Sequence, residues 1–240
     1  VDARELALYL DDRSRLHFFP PFLTSDSVRS EGRDETRRRL ADQLAVSSDA
    51  VWLVTVAMMR SDVKRDSYRL LADTIAGLPC KDWRLLVVGS GEAAAEVRSE
   101  LRAAAGDNVR FLGELPGADV GAVLQACDVF VWPALREAYG MAILEALAAG
   151  LPVIACDEGG VGDLVRNEQN GLLAPRRSPR VLRQHLERLI GDAGSRQRLG
   201  ARAAELVSER HSRRAAEIRL ATILARVDRD HCSSVRSACN

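Results

Sequence analysis

The sequence carries no net charge, because 34 lysine and arginine residues balance 34 aspartate and glutamate residues. A protein that binds nucleic acid or an anionic membrane through charge alone needs an extended basic surface, and the balance excludes that class. Lysine is scarce, with Lys64 and Lys81 as its only two positions, so nearly all the positive charge is arginine. An anionic small molecule would therefore need a local site.

The sequence also lacks a cysteine framework and a long apolar run. Its five cysteines form no CxxC pair and have no histidine at the spacing of zinc ligands, which favours a reduced, cytosolic protein without a metal site. No apolar run reaches the roughly 20 residues of a membrane-spanning helix. The longest candidate, residues 138–156, is interrupted by Glu145, Gly150 and Pro152. We therefore predict no transmembrane segment.

Short apolar runs alternate with longer amphipathic stretches from residue 51 onward, which is typical of βαβ units. Each run is continuously apolar, as expected when helices cover both faces of a parallel sheet. The pattern predicts an α/β fold with a Rossmann-like, doubly wound parallel sheet, followed after Pro175 by a helical C-terminal tail. The predicted strands are residues 51–56, 84–88, 109–112, 128–132 and 152–155.

The pattern of elements also predicts three segments. Residues 1–50 are a linker, with one short strand and a turn at residues 17–22 and a surface helix at residues 32–45. Residues 51–228 form the ligand-binding domain. Residues 229–240 are polar and serine-rich, and we expect them to be disordered.

Ligands of doubly wound sheets bind beyond the carboxyl ends of the strands, where helix N-termini present unpaired amides. Four of the five loops at this edge contain glycine, which lets backbone approach a phosphate closely. The loop after the first predicted strand adds Arg60 and Lys64, and the loop after the fourth adds Glu137. This edge therefore suits a diphosphate, although Arg60 and Lys64 could equally be ordinary surface charges.

Glu145 is the only charged residue of the apolar stretch 138–156. Burying an unpaired carboxylate costs on the order of 3 kcal/mol or more, so a partner is needed. The two hydroxyl groups of a ribose could donate to it, and a salt bridge to an arginine of another helix is the alternative. Residues 139–141 are predicted as the first helical turn, whose amides would meet the diphosphate while Glu137 reaches the sugar.

The block from Cys127 to Ala155 resembles the GT-B retaining glycosyltransferases of family 4, also called glycosyl transferases group 1. Glu137 and Glu145 stand at the spacing of that family's E-x7-E motif. Three flanking segments resemble further family motifs in the same order: LLVVGxG at residues 85–91, VxFLG at 109–113 and NGLL at 170–173.

The resemblance implies a two-domain enzyme whose C-terminal half binds a nucleoside diphosphate sugar and whose N-terminal half binds the acceptor. This chain resembles the C-terminal half, with residues 1–50 as the end of the link to a missing N-terminal domain. The resemblance further implies transfer with retention, and neither a metal ion nor another cofactor. The acceptor would be a saccharide, a lipid or a small molecule.

The site residues follow from the sheet edge and the resemblance together. The family usually has an arginine and, about five residues later, a lysine after the first strand; here Met58 and Met59 occupy the arginine region, and Arg60 and Lys64 take these roles after a small shift. The predicted catalytic set is Glu137, Lys64 and Arg60. The predicted donor-binding set is Glu145, Ala138, Tyr139, Gly140, Met141, Gly89, Gly113, Leu115, Gly159 and Gly160.

Two other functions are weighed against this one. A truncated or degenerate glycosyltransferase would hold a nucleotide sugar without turnover. A nicotinamide-dependent oxidoreductase would need an acidic ribose ligand after the second strand, which the segment from Gly89 does not offer. We expect a cytoplasmic protein that binds no nucleic acid, with contact to a membrane surface only through the missing half.

Overall fold

The computed structural model describes residue 9 and residues 16–24, 32–78 and 82–238, with side chains as far as residue 227. Six parallel strands form one sheet in the order β3-β2-β1-β4-β5-β6. This order has the doubly wound, Rossmann-like form, which confirms the predicted fold class. The strands are β1 (Val51–Val56), β2 (Trp83–Val88), β3 (Val109–Gly113), β4 (Val129–Val131), β5 (Val153–Cys156) and β6 (Gly171–Ala174).

Five of these strands were predicted, and none of their observed ends differs from the predicted end by more than one residue. Strand β6 was not predicted. The four residues of β6 include Gly171 and overlap the segment interpreted as an NGLL turn. Gly171 pairs with Val153 of β5, and a methyl group at Gly171 would collide with the carbonyl oxygen of Val153. Glycine is therefore required where β6 begins.

Nine α-helices and one short 3₁₀ helix, Gly106–Asn108, are described. The amphipathic stretches after β1 and β2 form helices, as the predicted βαβ pattern requires, and the surface helix near residue 33 and the helices after Pro175 are also present. The helices are α1 (Arg33–Leu44), α2 (Val63–Ile75), α3 (Ala94–Ala105), α4 (Gly117–Ala126), α5 (Met141–Ala148), α6 (Val161–Leu164), α7 (Pro179–Gly191), α8 (Ala193–His211) and α9 (Arg213–Ala238).

Helix α1 is fastened to the starts of β1 and β4 by Arg37. Its guanidinium donates to the carbonyl oxygens of Ser48, Ala50 and Ala126 and to the carboxylate of Asp128, and it stacks over the ring of Trp52 at 4.5 Å. Asp128 also accepts from the Trp52 amide at 2.7 Å. Residues 33–44, predicted as part of a linker, therefore belong to the sheet domain.

The chain divides into two compact units, and the larger unit, Asp26–Leu206, contains the sheet. The described part of the other unit consists of residue 9 and residues 16–24 and 207–238. Within it, the Leu23 amide donates to the carbonyl oxygen of His211 at 2.8 Å, and a ring nitrogen of His211 lies 2.9 Å from the carbonyl oxygen of Pro21.

Two predictions differ from the described backbone of this second unit. The prediction of a short strand at residues 17–22 is wrong, because the only β-structure within residues 16–24 is a single bridge between Leu23 and Ser212. The tail predicted as disordered from residue 229 is helical as far as Ala238. No helix in the described part of the chain has the length and apolarity to cross a membrane.

Candidate functional site

The candidate site lies at the carboxyl ends of β1 and β4, where the strand order reverses. From β1 the chain runs outward through β2 and β3, and then returns to place β4 on the other side of β1. In doubly wound sheets, the loops that leave two such strands diverge and form a crevice, which is the usual place of the ligand. The first loop leads to Lys64 and the second carries Glu137.

Lys64 and Glu137 form an ion pair across this crevice through Nζ and Oε2. The lysine lies in the first turn of α2, whose N-cap Asp62 accepts a hydrogen bond of 2.9 Å from the Lys64 amide. Both side chains are largely shielded, at 15% and 18% exposure. The structure therefore brings together two of the three residues predicted to be catalytic, 73 positions apart in sequence.

Arg60, the third predicted catalytic residue, is placed differently. Its guanidinium pairs with Asp62 at 3.0 Å, and both side chains are about half exposed at 49%. Met58, in the region where the related family usually has an arginine, is also exposed. Arg60 thus lies on the surface of the loop and is not part of the Lys64–Glu137 pair.

The loop that carries Glu137 has an unusual backbone that is braced from α2. Ala134 and Arg136 both adopt positive φ, at 56° and 49°, which is unfavourable for residues other than glycine. Between them, the amide of Leu135 donates to Oγ of the fully buried Ser67 at 3.1 Å. Ser67 was not predicted as a site residue, because a lone serine in an amphipathic helix gives no signal.

The short helix α5 follows this loop and begins two residues later than predicted, at Met141 instead of Tyr139. Tyr139 and Gly140 precede the helix instead of forming its first turn, and Gly140 is the N-cap residue with φ of 91°. The first intrahelical bond runs from the Leu144 amide to the Gly140 carbonyl, so the amides of Met141 and the next two residues remain available. Met141 is exposed, so this end of the helix is open to a ligand.

Glu145 lies in the middle of α5 and is half-buried. Burial raises the pKa of its carboxyl above the ordinary value of 4.5, and desolvation is the sole cause. Among the described residues, no side chain or backbone group donates to this carboxylate or pairs with it. The alternative of a salt bridge to an arginine is therefore absent from that part of the chain.

Gly159 and Gly160 lie against the Glu137 loop and not in open space. The Gly160 amide donates to the carbonyl oxygen of Glu137 at 3.1 Å. A methyl group at Gly159, where φ is 61°, would collide with that carbonyl, and one at Gly160 would collide with the carbonyl of Ala138. The two loops therefore interlock through backbone, and both glycines are needed for that contact.

The glycines predicted after β2 and β3 are found at the same edge of the sheet. Gly89, at φ of 137°, packs so closely on the carbonyl of Ala57 that a side chain would collide with it. Gly113, at φ of 73°, has open space beside it, and Leu115 is half-buried on the next loop. Gly89 thus joins neighbouring loops, whereas Gly113 leaves room for a ligand.

Trp132 is a second residue that the sequence did not reveal. It follows β4, is 2% exposed, and its indole Nε1 lies 3.5 Å from Oε2 of Glu137. A tryptophan at the end of an apolar strand is ordinarily a core residue, and only the folded arrangement places it beside Lys64 and Glu137. Among the described residues, no group of three His, Cys, Asp or Glu side chains could hold a metal ion.

The chain is similar to known proteins in sequence and in fold. The family model described as glycosyl transferases group 1 matches residues 50–192. The chain is 40% identical over 127 residues to the D-inositol 3-phosphate glycosyltransferase of Salinispora tropica, covering 52% of the chain and 25% of the relative. It is 31% identical over 211 residues to that of Nocardia farcinica, covering 84% and 46%. The chain thus spans less than half the length of these relatives.

A solved structure with a similar fold is that of the Anabaena protein HepE in complex with UDP-glucose. The two share a TM-score of 0.78 and 20% sequence identity, over 94% of this chain and 61% of HepE. At this identity the likeness concerns the fold.

Proposed function

Since this chain belongs to the glycosyl transferases group 1, we propose that it is the donor-binding part of a glycosyltransferase that takes its sugar from a nucleoside diphosphate sugar. One observation carries the proposal: Glu145 holds a half-buried carboxylate that lacks a partner within the described residues, on the helix that follows the Glu137 loop. Such a carboxylate needs donors of hydrogen bonds, and the vicinal hydroxyls of a ribose supply two.

The remaining groups fit the diphosphate and the sugar. The open N-terminus of α5 offers free amides and the positive end of the helix dipole, which favours an anion by roughly 0.3 to 2 kcal/mol. Lys64 adds a cation at the crevice, and Glu137 adds a carboxylate that can accept from sugar hydroxyls. A diphosphate therefore would lie between Glu145 on the ribose side and Glu137 on the sugar side.

In the proposed reaction, the bond between the anomeric carbon and the β-phosphate oxygen breaks and a bond to the acceptor hydroxyl oxygen forms. The acceptor proton passes to the departing diphosphate, whose growing negative charge Lys64 and the α5 amides stabilise. We infer that the anomeric configuration is retained. We also infer that neither a metal ion nor another cofactor takes part, because these groups already supply positive charge.

The acceptor is a saccharide, a lipid or a small molecule. We propose that it binds to a region that corresponds to the part of the relatives outside the match with this chain. The free, buried thiols of Cys127 and Cys156 suit the reducing conditions of the cytoplasm, which is the location we propose.

Calorimetric titration tests donor binding directly. UDP-glucose, GDP-mannose and ADP-glucose, each beside its free nucleoside diphosphate, form the series, and UDP-glucose comes first because the HepE structure contains it. We expect at least one pair to bind, with an affinity that EDTA leaves unchanged. Binding to none of the six compounds would contradict the proposal.

A non-catalytic nucleotide-sugar module is the second candidate, because the matched part of the relatives is under half their length. Both candidates predict binding by this chain. They differ in the intact gene product, where only the enzyme releases free nucleoside diphosphate in the presence of an acceptor.

A further inference from the structure

Two side chains of the site, Lys64 and Trp132, converge on one carboxylate oxygen of Glu137. Oε2 of Glu137 accepts from Nζ of Lys64 and lies 3.5 Å from Nε1 of Trp132. Nζ of Lys64 also lies 5.6 Å from the centre of the Trp132 ring, within the range of a cation–π contact. The indole thus contacts the carboxylate through its N–H edge and the ammonium through its face.

Trp132 is held in place through both its backbone and its ring. The Trp132 amide donates to the carbonyl of Ile154 at 3.0 Å, which continues the pairing of β4 with β5. Its ring packs edge-on against Tyr68, with the ring centres 4.8 Å apart, and the Tyr68 hydroxyl donates to the carbonyl of Ala57 at 2.8 Å. Trp132 is therefore held by the sheet, whereas Glu137 lies on a loop.

We propose that Trp132 is a positioning residue that fixes the Glu137 carboxylate for the sugar of the donor; this role rests on the proposed function. A bound diphosphate competes with Glu137 for the Lys64 ammonium, since both are anions at one cation. When Lys64 turns to the phosphate, the indole N–H still donates to Glu137. The carboxylate then keeps its place and accepts from the sugar hydroxyls.

The substitution Trp132→Phe tests this role because it keeps an aromatic ring and removes the N–H. Loss of a hydrogen bond to a charged acceptor predicts a dissociation constant for the nucleotide sugar that rises about fivefold or more. The free nucleoside diphosphate lacks the transferred sugar that would contact Glu137, so its dissociation constant should change less than about twofold. The measurement is calorimetry with UDP-glucose against UDP, and with the GDP and ADP pairs.

Trp83→Phe is the matched control. Trp83 is also buried and lies on β2, and its Nε1 has no hydrogen-bond partner within the described part of the chain. The control should bind both ligands of a pair as the wild type does. If Trp132→Phe binds the nucleotide sugar normally, or loses both ligands equally, the positioning role is wrong and Trp132 is only a core residue.

An experiment without donor separates this proposal from the proposed function. The protein has three tryptophans, so ¹⁵N labelling of the indoles gives three N–H signals, and Trp132→Phe identifies one of them. We expect Glu137→Gln to shift the Trp132 signal and to leave those of Trp52 and Trp83 in place. An unmoved signal would overturn the contact, whereas a wild type that shows the contact but binds no nucleotide sugar would overturn the donor role instead.

Discussion

The amide of Gly160 donates a hydrogen bond of 3.1 Å to the carbonyl oxygen of Glu137. This bond joins the loop after β5 to the loop after β4, and Gly159 closes the contact because its hydrogen faces the same carbonyl. The position of Glu137 therefore depends on two residues that have no functional group of their own.

The substitution Gly159→Ala should move the Glu137 loop. The added methyl group would meet the Glu137 carbonyl, and φ of 61° disfavours alanine, so we expect a loss of stability of about 1–3 kcal/mol together with weaker nucleotide-sugar binding. Thermal unfolding and calorimetry measure the two effects. Gly117→Ala is the control, because open space surrounds Gly117 in the first turn of α4. Equal behaviour of the two variants would contradict the interlocked loops.

Glu145→Gln separates binding from folding. Loss of a charged acceptor should weaken nucleotide binding about tenfold or more, while the neutral amide removes a desolvation cost and should leave the unfolding temperature unchanged or higher. Glu187→Gln, at an exposed position of α7, should alter neither property. Undiminished affinity in a folded Glu145→Gln protein would overturn the assignment of the ribose to Glu145.

The pH dependence of donor binding follows from the raised pKa of Glu145. Only the ionised carboxylate accepts from both hydroxyls, so affinity should fall as the pH drops through that pKa, at a higher pH than for an ordinary glutamate near 4.5. Folding responds in the opposite sense: the folded state takes up the proton first, so this group favours folding as the pH falls toward its ordinary pKa. Titration with a nucleotide sugar is suitable, because its phosphates lack the second ionisation near about pH 6.

In the Glu145→Gln variant, the affinity for the nucleotide sugar should no longer fall as the pH drops. A pH profile shared by the variant and the wild type would assign the titration to a different group.

Lys64→Ala and Arg60→Ala should differ strongly. Removal of Lys64 takes away the shielded cation and leaves Glu137 without its counter-charge, so affinity for the free nucleoside diphosphate should fall about tenfold or more. Arg60 is half exposed and paired with Asp62, so its removal should change affinity less than about threefold. Calorimetry with UDP, GDP and ADP checks both, and a larger effect at Arg60 would restore it to the predicted catalytic set.

Much of this fold could be predicted from the sequence, because buried parallel strands are continuous apolar runs. Strand β6 was missed because it has only four residues, begins with Gly171 and overlaps the segment interpreted as an NGLL turn, so it shows no hydrophobic periodicity. Its place in the sheet depends on pairing with β5, which is a tertiary property.

The site was predictable to the extent that its chemistry stands out locally. A lone glutamate in an apolar helix is visible in sequence, and Glu137 was found from its place in the loop after the fourth predicted strand and from the E-x7-E spacing. Ser67 and Trp132 were not visible, because a serine that braces a loop and a tryptophan that contacts a carboxylate look like ordinary core positions. The surface position of Arg60 depends on the nearby Asp62, a local pairing that the sequence argument did not weigh.

The anchoring of α1 has a practical consequence for the design of a shorter fragment of this domain. The family match starts at residue 50, and a fragment cut there would discard the arginines that neutralise Asp128 and would uncover the ring of Trp52. An orphaned carboxylate and a bare indole at the base of the sheet would favour aggregation. A usable fragment therefore has to start no later than Gly32, eighteen residues before the boundary that family similarity suggests.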